Sequence, residues 1–138
     1  MNRSLRFWGV LLLVMFFLTS AVGGSLALES SYLPVTLASH IGLALVTLAI
    51  GGYAASTVSR AYKPLPRASC GLAAISALIA TTAGAVFLLY GQSNWALYTM
   101  EGFGGIGIVT SLLLIAFGGS SGLRETKARP PEPAGEVA

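Results

Sequence analysis

The strongest constraint on this chain is where its lysines and arginines are missing. All eight fall in three clusters: Arg3 and Arg6; Arg60, Lys63 and Arg67; Arg124, Lys127 and Arg129. Residues 7–59 and 68–123 hold no Lys or Arg and are rich in Leu, Val, Ala, Gly, Phe and Ile. A bilayer core of about 30 Å is crossed by roughly 20 apolar residues of helix. Each cation-free stretch therefore has room for two crossings and a short turn. Composition agrees: only 9% of the 138 residues are charged, against about 25% in a soluble domain. A chain this poor in charge cannot cover its surface with polar groups.

The expected fold is all-α: an integral membrane, up-down four-helix bundle with spans at about 7–28, 34–55, 68–90 and 95–117. Residues 1–119 form the transmembrane domain, and 120–138 a Pro-rich tail with too little apolar surface to fold alone. Span one has a basic start and ends in Ser25-Leu26-Ala27, like a secretory signal. Its removal would leave an odd number of spans, so it is read as a span. Pro34 suits a first helical turn, where its missing N–H costs nothing. Within SRAYKPLPR, Pro64 and Pro66 forbid one continuous helix. Gly91 stops span three, Asn94 caps span four, and Gly118 and Gly119 end it.

Orientation follows from the cations. All three clusters lie on one side of this layout, while the turns at 29–33 and 91–94 have none. The positive-inside rule then places both termini in the cytoplasm (N-in/C-in), in a multi-pass protein of the cell membrane. Tyr32, Trp95 and Tyr98 gather at the outer boundary, where amphipathic rings settle among headgroups.

Several function classes are disfavoured. The net charge of +3 comes from short flanks of apolar segments, so no nucleic-acid partner is expected. Cys70 is the only cysteine, which excludes an intrachain disulfide; it is read as packing. One histidine, five glutamates and no aspartate leave little from which to assemble a nucleophile with its base, or paired carboxylates. No soluble small-molecule substrate is identifiable. The spans hold no buried charge and no Pro-broken helix of the kind that coordinates a transported ion. The strong cation bias and an acid-free first span also disfavour a dual-topology exporter.

Helices in lipid associate through small residues. Span three offers Ala73, Ala77, Ala80 and Gly84, span four Gly104, Gly107 and Ser111, and span two Gly51, Gly52, Ala54 and Ala55. Gly102 to Gly107 spells a formal G-x-G-x-x-G. The dinucleotide fingerprint needs a preceding strand, so inside a span the match reads as packing.

His40 is the sole histidine and shares a face of span two with Thr36, Thr47 and Gly51. Such a face is expected to turn inward. Met100 begins the span-four face that continues through Gly104, Gly107 and Ser111, at a depth similar to that of His40. Glu101 points about 100° away around the helix, at headgroup level. The four-span layout and the segment SHIGLALVTLAIGGY around His40 resemble one half of the haem A synthase family. In that family the second and fourth helices of a four-helix bundle each supply a haem-ligating histidine. Span four has no histidine here, so a bis-histidine site cannot form within one chain.

The resemblance thus implies haem b with iron on His40 and either Met100 opposite, an open sixth position, or a ligand from another chain. Gly104 and Gly107 would admit the macrocycle. The plainer alternative makes His40 an interfacial residue bonded to a headgroup or a carbonyl, and Met100 an adaptable filler. Two functions are carried forward. One is a non-catalytic accessory subunit that meets lipid and other membrane subunits of a respiratory oxidoreductase or terminal oxidase. The other is a free-standing haem protein, either a cytochrome b-like electron carrier or a half-sized haem A synthase relative.

Overall fold

The computed structural model describes residues 3–90 and 94–119, except for 29–33. It is all-α, with α1 Arg3–Leu28, α2 Pro34–Ala61, α3 Pro64–Leu89 and α4 Asn94–Gly119. All four are long and apolar enough to cross a membrane. The turn at 29–33 with Tyr32, the stop at Gly91 and the tail 120–138 lie outside the described residues.

The helices outrun the expected spans. α1 starts at Arg3, α2 continues to Ala61, and α3 begins at Pro64, so most of SRAYKPLPR is helical. The break falls on Tyr62 and Lys63. Lys63 is extended (φ −61°, ψ 166°), as a residue before proline prefers to be. Pro64 and Pro66 then occupy the first turn of α3, where backbone N–H groups have no helical partner. Asn94 is the first residue of α4 rather than a cap preceding it.

The four helices form a closed ring: α1 packs on α2 and α4, and α3 packs on α2 and α4. The helix pairs α1/α3 and α2/α4 stand across the bundle. Along the α1–α4 seam, Arg6 meets Gly118, Gly9 meets Ser111 and Ile115, Phe16 meets Gly107, and Ser20 meets Gly104. Numbers rise on one helix as they fall on the other, so the pair is antiparallel. Arg3, Arg6, Arg60, Lys63 and Arg67 thereby share one end of the bundle.

Large and small residues share the interior: Leu5, Leu12, Phe16, Val58, Tyr62 and Leu114 are buried in the core, and small residues fill much of the rest. Thr47, Gly51, Ala54, Ser69, Ala73, Ser76, Ala77, Gly104, Gly107, Thr110 and Ser111 are buried. Phe17, Leu45, Leu72, Ile75, Leu78, Val109 and Leu112 face outward. In water that exterior would be one continuous apolar patch, of the kind that drives association. Close backbone approach explains the small residues: a Cβ on Gly9 would stand 2.8 Å from the Ile115 nitrogen and 2.9 Å from the Ser111 oxygen.

Candidate functional site

The polar centre of the bundle lies on the α1–α2 seam. His40 Nδ1 is 3.1 Å from the Thr19 carbonyl oxygen. A carbonyl only accepts, so Nδ1 carries the proton and Nε2 is left outside that bond. The imidazole fits there because α1 is notched: a Cβ on Gly23 would stand 2.7 Å from His40 Cε1. In helical geometry the same carbonyl already accepts from the Gly23 N–H, and His40 uses its second lone pair.

Thr19 also reaches α2 through its side chain. Its Oγ1 lies 3.0 Å from Thr47 Oγ1 and 2.8 Å from the Met15 carbonyl. Thr47 Oγ1 lies 2.7 Å from the Leu43 carbonyl. Two hydroxyl protons are shared among three contacts, and either hydroxyl can be the donor across the seam when it releases the carbonyl of its own helix. His40, Thr19 and Thr47 thus form one interhelical unit. Thr47 shares the face assigned to His40. Thr19 and Gly23 were not singled out by sequence, since a backbone carbonyl acceptor leaves no mark in side-chain chemistry.

Met100 is on a different seam. Its sulfur lies 3.4 Å from where a Cβ on Gly84 would stand, between α3 and α4. Gly104 and Gly107 lie on a third, between α1 and α4. The Phe16 ring occupies the space a Cβ on Gly107 would take, and Ser20 Oγ lies 3.5 Å from that of Gly104. Because Ser20 faces Gly104, Met100 is level with the turn of α1 that holds Gly23. His40 and Met100 therefore share a depth but turn to different neighbours, His40 to α1 and Met100 to α3.

This packing tests a haem between them. The His40 ring suits a ligand, since an Nδ1–H held by a carbonyl fixes the orientation of the other nitrogen. At Gly107 the cradle does not fit, because the Phe16 ring already fills that notch, while at Gly104 Ser20 stands only in ordinary contact. A group of three or more His, Cys, Asp or Glu side chains able to hold a metal is absent among the described residues. No protein-family profile matches this chain, and no curated protein or solved structure matches it either.

The remaining candidates are packing features. Gly51 faces Ala74, its would-be Cβ 3.4 Å from the Ala74 Cα, and Ala73 and Ala77 are buried. Cys70 is a buried free thiol. Trp95 and Tyr98 are exposed at the start of α4, as boundary residues would be. Ser76 is fully buried and its hydroxyl has no hydrogen-bond partner.

Proposed function

We propose that this chain is a four-span protein of the cell membrane, with both termini cytoplasmic, that acts as a non-catalytic accessory subunit of a larger membrane complex. The observation that carries the membrane reading is four helices each long and apolar enough to cross a bilayer, with large apolar side chains covering the outside and small residues at many of the helix contacts. Lipid tails solvate such an exterior, and van der Waals contact at small residues is what joins helices there. The accessory role draws on how the polar groups are used: Thr19, His40 and Thr47 are committed to holding α1 against α2. The partner class, a respiratory oxidoreductase or terminal oxidase that the subunit stabilises or assembles, comes from the resemblance of the four-span layout and the His40 segment to one haem A synthase half.

Purification in mild detergent tests this. Larger membrane subunits are expected to accompany the chain, and a chain that elutes alone under conditions preserving membrane complexes refutes the reading. For topology, a tag behind Ala138 and a label in the 29–33 turn are expected on opposite faces of the membrane. The second reading, a haem-binding bundle, has the His40 ring orientation in its favour, with the iron held partly by another chain. It requires a reduced-minus-oxidised haem b spectrum that disappears in His40→Ala.

A further inference from the structure

The outer faces of the four helices are not alike. Through the middle of the bundle α1 presents Phe7, Val10, Val14 and Phe17, and α3 presents Leu72, Ile75 and Leu78. α2 instead presents Ala38, Gly42, Leu45, Ala49, Gly52 and Ser56, all exposed. α4 presents Tyr98, Gly102, Gly105, Val109, Leu112 and Ala116, also all exposed. Nothing lies within 4 Å of a Cβ placed on Gly42, Gly52, Gly102 or Gly105. Each row advances by alternate steps of four and three residues, the seam of a left-handed helix pair. On each helix the row lies opposite the buried face, so the bundle itself uses neither seam. Because α2 and α4 stand across the bundle, the two seams point away from each other.

Each row supplies what the other lacks, at the same depth. Gly104 stands by Ser20 and Gly23 by His40, which brings Gly104 level with about residue 43 by way of α1. Met100 stands by Gly84 and Gly51 by Ala74, which brings Met100 level with about residue 41 by way of α3. Both routes round the ring set a residue of α4 level with the one about sixty earlier on α2, and the two rows keep that offset at every step. In this register Tyr98 meets Ala38, Leu45 meets Gly105, Val109 meets Ala49 and Leu112 meets Gly52. A large side chain faces a small one each time. Charge agrees at the basic end, where the α2 row runs into the exposed Arg60. The α4 row ends there at the carbonyl end of its helix, which carries partial negative charge.

A second copy in the same membrane offers this match, since α2 and α4 both run toward the basic end. Like rows do not offer it: α4 on α4 sets Tyr98 on Tyr98 and Leu112 on Leu112, and α2 on α2 sets Arg60 beside Arg60. We infer that copies of this chain associate head to tail in the membrane, the α2 row of one on the α4 row of the next. The two sides of such a contact differ, so it repeats from copy to copy. It rests on the membrane reading above and not on the accessory role.

Cysteine cross-linking of the full-length chain in its membrane tests this. In a Cys70→Ala background, Gly52→Cys and Leu112→Cys on one chain should oxidise to a ladder of dimers, trimers and larger species, since a disulfide forms where Cα atoms come within about 7 Å. The same two substitutions on separate, co-expressed chains should stop at dimers. Val14→Cys with Ile75→Cys, on the α1 and α3 faces, should give no ladder. Gly52→Leu has open space within its own bundle but overfills the contact. It should weaken self-association in vesicles about fivefold to 150-fold, and adding Leu112→Ala should restore it.

A ladder no stronger than that of the Val14→Cys and Ile75→Cys pair overturns the contact, as does a Gly52→Leu loss that Leu112→Ala fails to repair. Dimers from Gly52→Cys alone or Leu112→Cys alone overturn it in favour of like faces meeting. Cross-links solely to a different membrane protein assign the faces to a foreign helix and overturn it too. Recovery of the chain in the soluble fraction would sink the membrane reading, and this contact with it.

Discussion

Gly9→Ala isolates the close approach of α1 to α4. The added methyl carbon would meet Ile115 Cγ1 and the Ile115 nitrogen at 2.8 Å, and the Ser111 oxygen at 2.9 Å. Two of these three atoms are backbone in the middle of a helix and cannot turn away, so the helices must move apart. Overpacking of this kind costs about 1–3 kcal/mol. Replacing glycine by alanine in a helix also returns up to about 1 kcal/mol of backbone propensity. Gly105→Ala supplies the reference, because nothing lies within 4 Å of its Cβ position.

The difference between the two variants in equilibrium unfolding, in mixed micelles titrated with denaturing detergent, should be about 1–3 kcal/mol with Gly9→Ala the less stable. Ile115→Ala in the Gly9→Ala background should recover only part of that loss, since it removes the side-chain clash and leaves both backbone clashes. Equal stability of Gly9→Ala and Gly105→Ala, or full recovery by Ile115→Ala, would refute backbone contact between α1 and α4.

Three further outcomes follow from single contacts. Gly107→Ala should destabilise by about 1–3 kcal/mol because the buried Phe16 ring stands where the methyl would go; here Phe16→Leu should relieve the clash, as unfolding of the double variant will show. His40→Ala should cost about 0.6 kcal/mol, the average for interhelical hydrogen bonds in a membrane. Gly23→Ala should cost more than that in wild type and little in the His40→Ala background, a coupling visible in a double-mutant cycle. Ser76→Ala removes a fully buried hydroxyl without a partner and should leave stability unchanged or raise it by about 1 kcal/mol, whereas a loss above that margin would reveal a partner for Ser76.

Helix number and order were legible in the sequence because spanning length and the spacing of cations are properties of letters. Helix ends were less so. A helix need not stop where lipid would, and α2 runs on to Ala61 until the preference of Lys63 for extended backbone before Pro64 breaks it. Buried faces were legible in part: Gly104, Gly107, Ser111, Ala73 and Ala77 turn inward, while Gly52 is exposed with nothing within 4 Å of its Cβ position. Which neighbour each face meets was not. A stripe of small residues specifies that something comes close, not what, and the occupant of the Gly107 notch is a phenylalanine from α1. The same holds for His40, whose partner is the carbonyl oxygen of Thr19, a group that every residue possesses.

α1 is the element to which both neighbours are registered by unlike means. α2 is tied to it through Thr19, His40 and Thr47, and α4 through notches at Gly9, Gly104 and Gly107. Helices in lipid form separately and then associate, so this pairing should survive a cut in the turn that follows α1. Residues 1–30 and 31–138, expressed together as two chains, are expected to co-purify on a tag placed on the longer one. Gly9→Ala in the short chain should weaken that capture, and by about fivefold to 150-fold if the whole 1–3 kcal/mol of overpacking falls on association. Capture undiminished by Gly9→Ala would mean that the hydrogen-bonded seam alone holds α1, and that the notches of α4 merely accommodate it.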